Sequence, residues 1–418
     1  MIKHNLLQAA KAFGLLVALY LLTGVAAYLM PDAAVNRHVK RSLDRGEFRE
    51  DYPKAIITDN PDCQDQYTLD NFTDALILNQ VVHLRSEGLK GILLMPRYDE
   101  GVVQHHNLVK TVYGEESPEG QTIDYARYWH GSTFLARIML TFATYASVRY
   151  LLYFLSSVLL LWCMLRLWKT LGGITALIFT FSLLVVNVFV MQFSLQFVPV
   201  LFIALGGIVW LTYHKGKESY ALPFLVLGSL TAFLDLITVP TLTLGLPLVT
   251  LVALRRDNDL KRGLTSVIGV SLWWLAGYVL TWAAKWGLAT LFTGENIFVD
   301  AYGQGARWSE GGSSFIGNAF TDTLGHLHWK YVLLAAAALV VASLAWRRKP
   351  QWTMVVQYAL VMLIPAAYLL LMAHPVAHHS WFNYRAWATS VMALLLLIAS
   401  FVDWEKIYDK RRKTPAGD

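Results

Sequence analysis

Asp70 and Asp74 stand four residues apart in Leu69-Asp70-Asn71-Phe72-Thr73-Asp74-Ala75-Leu76-Ile77-Leu78-Asn79. The spacing is helical and sets Leu69, Phe72, Leu76 and Leu78 along an apolar side, with both carboxylates on the opposite face. Two carboxylates so placed could hold a divalent cation such as Mg or Mn, or raise one another's pKa until one works as a base near neutral pH. The plainer account is that Asp70 caps the helix and Asp74 lies on its wet side. Asp59 and Asp62, in the turn Thr58-Asp59-Asn60-Pro61-Asp62, are the rival acids.

Cations and aromatic rings gather further on. Ile123-Asp124-Tyr125-Ala126-Arg127-Tyr128-Trp129-His130-Gly131 packs an acid, an Arg, a His and three aromatics into one or two turns. Tyr125, Tyr128 and Trp129 fit an aromatic belt at a membrane interface, whereas Arg127 and His130 are equipped to hold a lipid phosphate beside a ring that stacks on a sugar. Two later segments add candidates. Thr293 to Trp329 carries Glu295, Asp300, Arg307, Glu310, Asp322, His326 and His328 around a Gly311-Gly312-Ser313-Ser314 run, and His374 to Arg385 carries His378, His379, Tyr384 and Arg385. These histidines lack the regular spacing of a zinc site, so polar contact with substrate or phosphate is the functional reading and no metal ligand is assigned.

The elements that must position these groups are apolar helices. Hydrophobic residues make up 56% of the 418 and charged ones 15%, a balance suited to a transmembrane bundle. Spans of about 20 apolar residues, the length a bilayer core requires, lie near 11–30, 148–168, 172–192, 197–213, 220–237, 239–254, 264–292, 330–346, 353–373 and 386–403. The expected fold is therefore an all-α polytopic membrane protein of about ten transmembrane helices. A first transmembrane helix ends near residue 30, and a large helical external loop runs over 31–147. A multispan bundle follows over 148–403, with outer loops at 293–329 and 374–385, and a basic tail closes the chain at 404–418. Within the first loop, Val35 to Phe48 reads as a charged, solvated helix, and Phe134 to Ser147, interrupted by Arg137, as a helix lying at the outer interface.

Cations fix the expected orientation. Lys3, Lys11, Arg166, Lys169, Lys215, Lys217, Arg255, Arg256, Lys261, Arg262, Arg347, Arg348, Lys349 and the tail Lys410 to Lys413 fall at every second loop, while the loops near 187–196 and 235–240 have no Lys or Arg. By the positive-inside rule both termini are cytoplasmic, in a plasma (inner) membrane, and the long loop lies on the outer face. The net charge of +6 is then topology, and no nucleic-acid partner is expected. The first span reads as an uncleaved anchor. Cys63 and Cys163 fall at different depths, so no disulfide framework is expected. Asp235 and Lys285 sit near the outer ends of apolar stretches, where they either face a polar cavity or, for Lys285, snorkel to headgroups.

This layout resembles the GT-C superfamily of polytopic membrane glycosyltransferases, which use polyprenyl-phosphate-linked sugars. The shared features are a cytoplasmic N-terminus, one span, a large acidic first external loop with interfacial helices, and many later spans with shorter outer loops. The resemblance implies a polyprenyl-phosphate-sugar donor, a glycan or lipid acceptor and a site against the bilayer. An acid of the first loop would act as general base: Asp70 or Asp74, with Asp59 and Asp62 as rivals. The phosphate would be held among Arg127, His130, Arg307, His378, His379 and Arg385, with Tyr128, Trp129 and Tyr384 as aromatic contacts. The chain departs from the commoner pattern in placing a single acid, Asp32, soon after the first span and a basic helix behind it. Other functions remain open on sequence: a transporter or flippase of a lipid-linked or small polar substrate, a polysaccharide polymerase or ligase, and a noncatalytic assembly subunit. No GxGxxG or P-loop is present.

Overall fold

A computed structural model describes residues 2–48, 54–61, 64, 67–216, 219–309, 314–349 and 351–407. It is 76% helical. The first half comprises α1 (Ile2–Leu29), α2 (Asp32–Asp44), β1 (Lys54–Ile56), β2 (Thr68–Asp70), α3 (Asn71–His83), α4 (Gly91–Leu94), β3 (Arg97–Asp99), α5 (Gln104–Tyr113), β4 (Gln121–Ile123), α6 (Gly131–Leu140), α7 (Tyr145–Leu171), α8 (Gly173–Leu184), α9 (Val188–Met191) and α10 (Val198–Tyr213). It continues with α11 (Ala221–Leu234), α12 (Thr241–Arg255), α13 (Leu260–Thr293), α14 (Ile297–Ser309), α15 (Ser314–His326), α16 (Trp329–Ala345), α17 (Trp352–Met362), α18 (Ile364–Leu371), α19 (Ala373–His378), α20 (Ser380–Asn383) and α21 (Trp387–Ala399).

Each apolar stretch read from sequence is helical. Among the described residues five helical segments are long and apolar enough to cross a membrane: Leu6–Leu29, Tyr145–Leu171, Leu260–Thr293, Trp352–Leu371 and Ser380–Ala399. A sixth is formed if α15 and α16, bent by 73°, make one broken span. The remaining apolar stretches fold as shorter helices, α8, α10, α11 and α12, of which α10, α11 and α12 are mostly buried. Their side chains form the main core with α7, α13, α17 and α21. α11 and α13 touch backbone to backbone: a Cβ on Gly228 would lie 1.9 Å from the Trp274 carbonyl oxygen, and one on Gly277 would lie 2.0 Å from that of Leu225. Reciprocal glycines are how apolar helices pack closely where the hydrophobic effect contributes little.

Among its described residues the polar segment between α1 and α7 is mainly helical, with two short antiparallel strand pairs, β1 with β2 and β3 with β4, that its sequence does not announce. Three-residue strands are too short to show an alternation. α2 behaves as expected for a charged helix, burying only Val35, Val39 and Ser42. α6 does not. Instead of lying free at an interface it is largely buried, because the fully buried Arg137 turns inward. Its guanidinium donates to the carbonyls of Ala27 (2.9 Å), Met30 (3.0 Å) and Val81 and pairs with Asp32, which also bridges Arg85 at 3.4 Å. The acid that follows the first span is thus half of the clamp that fastens the polar segment to α1.

Candidate active site

The chain enters α3 through an N-cap. Asp70 ends β2, and its carboxylate accepts hydrogen bonds from the Thr73 amide at 2.9 Å and the Thr73 hydroxyl at 2.8 Å. The helix is buried nearly all round, from Thr73 to Val81, because its polar side is covered as well as its apolar one. Asn79 clasps the backbone of Tyr98 in β3 with two hydrogen bonds, and Gln80 accepts from Thr133 of α6. Neither acid is on a wet face: Asp70 is 5% exposed and Asp74 2%.

Burial raises the Asp70 pKa from 3.8 to about 7, against the stabilising bonds from Thr73 and with a smaller push from Asp74. Burial raises Asp74 as well, opposed by Arg149 and by the hydrogen bond from Tyr145. Asp74 accepts from the Tyr145 hydroxyl at 2.5 Å, with the Ser194 hydroxyl and Leu195 amide each at 3.5 Å. Both carboxylates are therefore engaged by protein donors. Among the described residues no group of three or more His, Cys, Asp or Glu converges on a metal position.

Asp70 lines a cavity of about 460 Å³. Its walls come from the start of α3 (Asp70, Phe72, Thr73, Leu76), the turn before α6 (Tyr125, Arg127, Tyr128), Gln196 before α10, the α11–α12 turn (Leu236, Ile237), α14 (Gln304, Trp308) and the α18–α20 segment (Tyr368, Met372, Pro375, His378, His379, Trp381, Phe382, Asn383). Five residues singled out in the sequence, Asp70, Arg127, Tyr128, His378 and His379, meet here across more than 300 positions of chain. Arg127 stacks over the Tyr125 ring at 4.7 Å and reaches both carboxylate oxygens of Asp300 at 2.9 and 3.0 Å. His379 stacks on Phe382 at 5.3 Å, and His378 contacts the His374 carbonyl at 2.9 Å.

Other expected site residues lie elsewhere. Trp129 is an internal anchor, its indole nitrogen donating to the Thr281 carbonyl at 2.7 Å. His130 adopts a left-handed conformation (φ 57°) and is buried against the Tyr125 carbonyl at 2.8 Å, and burial lowers its pKa to about 3. It is a neutral imidazole, not a cation for a phosphate. Arg307 is exposed one position before the cavity-lining Trp308 on α14. Tyr384 donates to the Val186 carbonyl at 3.1 Å. Arg385 is fully buried between the rings of Phe197 (4.9 Å) and Tyr384 (5.0 Å), and among the described residues its three guanidinium nitrogens have no hydrogen-bond partner. Asp59 is exposed in a bend outside the cavity, and Asp62, like Cys63 and Glu310, lies outside the described residues. Asp74 does not line the large cavity but shares with Asp70, Glu47 and Arg149 a neighbouring one of about 20 Å³, room for a single water. Lys285 does not snorkel: it is fully buried and donates to the Leu93 carbonyl at 2.5 Å. Asp235 is buried too, accepting from the Thr238 amide at 3.0 Å.

Sequence reasoning missed Ile237, a β-branched residue at φ 61° on the cavity wall. Such a residue rarely occupies the left-handed region, and strain of this kind gathers at functional sites. Its only sequence signal is a short turn between apolar stretches, Asp235 to Pro240, without Lys or Arg. Comparison of the chain with protein-family models, with curated proteins and with solved structures finds no match.

Proposed function

We propose that this chain is an integral membrane glycosyltransferase of the GT-C type. It moves a sugar from a polyprenyl-phosphate-linked donor to a glycan or lipid acceptor on the outer face of the membrane. The observation that carries this reading is the 460 Å³ cavity in which one buried acid, Asp70, meets Arg127, two histidines and a set of aromatic rings. Apolar walls with a few convergent polar groups and one perturbed titratable group are the usual composition of a site that binds and transforms a small polar moiety.

In the proposed reaction the acceptor hydroxyl oxygen attacks the anomeric carbon. The bond from that carbon to the phosphate oxygen breaks, its electron pair leaving on the phosphate, and Asp70 takes the hydroxyl proton. A base is most effective when its pKa lies near the working pH, and Asp70 at about 7 meets that condition. Arg127 supplies fixed positive charge for the leaving phosphate once the donor competes with Asp300 for it, and His378 and His379 supply hydrogen-bond donors. Tyr125, Tyr128, Trp308 and Trp381 offer faces for the sugar ring. Asp74, engaged by Tyr145 behind Asp70, positions α3. The reading requires no divalent cation.

The topology belongs to the same proposal. Ten helical crossings, four of them made by the short buried helices in the interior of the bundle, leave both termini in the cytoplasm. The cavity then faces outward, opposite the ends where Arg166, Lys169, Arg255, Arg256 and Arg347 to Lys349 gather. The test is mass spectrometry of lipid-linked and surface glycans from cells with and without the gene, complemented by wild type or Asp70→Asn. Loss of one defined sugar restored by wild type alone supports transfer, and unchanged glycans reject it.

A further inference from the structure

A second cavity, of about 300 Å³, lies at the other end of the long helices. α7 connects the two regions: the Tyr145 hydroxyl at its start reaches Asp74, and Leu171 at its end lines this second cavity. Its 27 residues extend ~40 Å, the thickness of a bilayer with its headgroups. α21 behaves alike, since Trp381 and Phe382 before it line the first cavity while Leu396 and Ala399 line the second. The second cavity is therefore at headgroup depth of the leaflet opposite the first.

Its lining carries both signs of charge. Arg256, the residue after α12, and Arg348, whose amide donates to the Phe401 carbonyl at 2.9 Å, line it together with Asp403, Trp404 and Glu405. Nearby acids are taken elsewhere: Asp257 pairs with Arg255 and Arg262, and Asp403 with Lys406 at 3.0 Å. Among the described residues neither Arg256 nor Arg348 has a carboxylate at ion-pair distance. The start of α8 opens onto the same space without a side-chain cap. Gly172 needs its φ of 94°, but Gly173 does not need to be glycine for packing, because a Cβ there would meet only Trp168 at 3.7 Å. The first amides of any α-helix lack a carbonyl partner within the helix, and here that first turn, Gly173 to Thr175, lines the cavity, a position where a phosphate binds well.

We propose that this cavity binds the headgroup of a zwitterionic phospholipid, a phosphodiester carrying a primary ammonium. The phosphate lies on Arg256, Arg348 and the α8 amides, and the ammonium on Glu405 beside the Trp404 ring. The mixed lining selects for this class: a purely anionic headgroup would meet the acids, and a quaternary ammonium could donate no hydrogen bond to Glu405. A free phosphoethanolamine shares the chemistry but lacks the acyl chains that a site at bilayer depth also accommodates. The proposal does not rest on the reaction assigned to the first cavity.

Native mass spectrometry of the full chain, released from nanodiscs holding equal amounts of phosphatidylethanolamine, phosphatidylcholine and phosphatidylglycerol, tests it. Phosphatidylethanolamine should be retained at least tenfold over the other two. Arg256→Asn, chosen because Asn tolerates the left-handed backbone of that position (φ 47°), combined with Arg348→Gln should abolish retention. Glu405→Gln should erase the preference over phosphatidylglycerol while keeping a bound phospholipid. Gly173→Val, which adds bulk on the cavity wall with only ordinary contact to Trp168, should also abolish retention and provides a variant without charge change. Lys215→Gln with Lys261→Gln, both exposed and outside the cavity, is the charge-matched control and should behave as wild type. Equal retention of all three lipids by every variant overturns the proposal, as does displacement of the lipid by millimolar free phosphoethanolamine, which would assign the site to a soluble ligand.

Discussion

Replacing Asp70 by Asn should remove activity and raise stability, and the two effects should depend on pH in a defined way. A carboxyl held at about 7 in the folded chain and at 3.8 when exposed opposes folding whenever it is ionised. The sign follows from linkage: a raised pKa means the favourable neutral state is fully available below about pH 4, and its contribution is lost as pH rises through 7. The cost of Asp70 thus grows from almost nothing at pH 4 to ~4 kcal/mol at pH 8, at 1.36 kcal/mol per pH unit between the two pKa values. Asn is neutral throughout and nearly as good a helix N-cap, so the bond from the Thr73 amide survives. Unfolding of wild type and Asp70→Asn in nanodiscs at pH 4.5 and pH 8 measures the difference. The variant should gain most at pH 8 and little at pH 4.5, while transfer falls by ~10²–10⁴, the usual contribution of a general base. Parallel pH dependence in the two proteins, or a variant less stable than wild type at pH 8, would refute the buried-base argument even if activity were lost.

Arg127→Gln should reduce kcat/KM for the lipid-linked donor by roughly 10–150-fold, the value of a charge-assisted hydrogen bond of ~1.5–3 kcal/mol, whereas Asp300→Asn, which frees the guanidinium, should not lower it; steady-state kinetics on both variants decides. Ile237→Gly should stabilise the chain by ~1 kcal/mol by relieving the left-handed strain and yet lower turnover, because the cavity wall loses a fixed side chain; unfolding midpoints and turnover read the two effects separately. Arg137→Leu should destabilise by ~2–4 kcal/mol, leaving the Ala27, Met30 and Val81 carbonyls unpaired, and Asp32→Asn by about 1 kcal/mol or less, since that acid is partly solvated; the yield of monodisperse protein and its melting temperature check both.

Much of this was legible in the sequence because helices in an apolar setting announce themselves by composition. Every apolar stretch forms helix, and Asp70, Arg127, Tyr128, His378 and His379, all singled out by residue type, line one cavity. What was not legible depends on small rotations and on burial. His130 and Trp129 adjoin Tyr128 in sequence, but the left-handed turn at His130 sends them into the interior. Arg307 and Trp308 differ by one helical step of about 100°, which puts the ring and not the cation on the cavity. The Asp70–Asp74 spacing fitted an amphipathic surface helix, and only the packing of α6 and β3 over the polar side shows both acids to be buried. The clamp from Arg137 to Asp32 links positions 105 apart, beyond the reach of any local pattern.

Turnover by the purified chain is the most direct test of the proposed chemistry. Wild type and Asp70→Asn, each reconstituted in nanodiscs, would be given a panel of polyprenyl-phosphate-linked sugars with candidate acceptors, and released polyprenyl phosphate and glycosylated acceptor would be followed by mass spectrometry. The account predicts equimolar appearance of the two products with one donor, rising with pH through about 7 and lost in Asp70→Asn. Equal turnover by both proteins, or sealed vesicles that move the sugar-lipid intact without releasing phosphate, would contradict it.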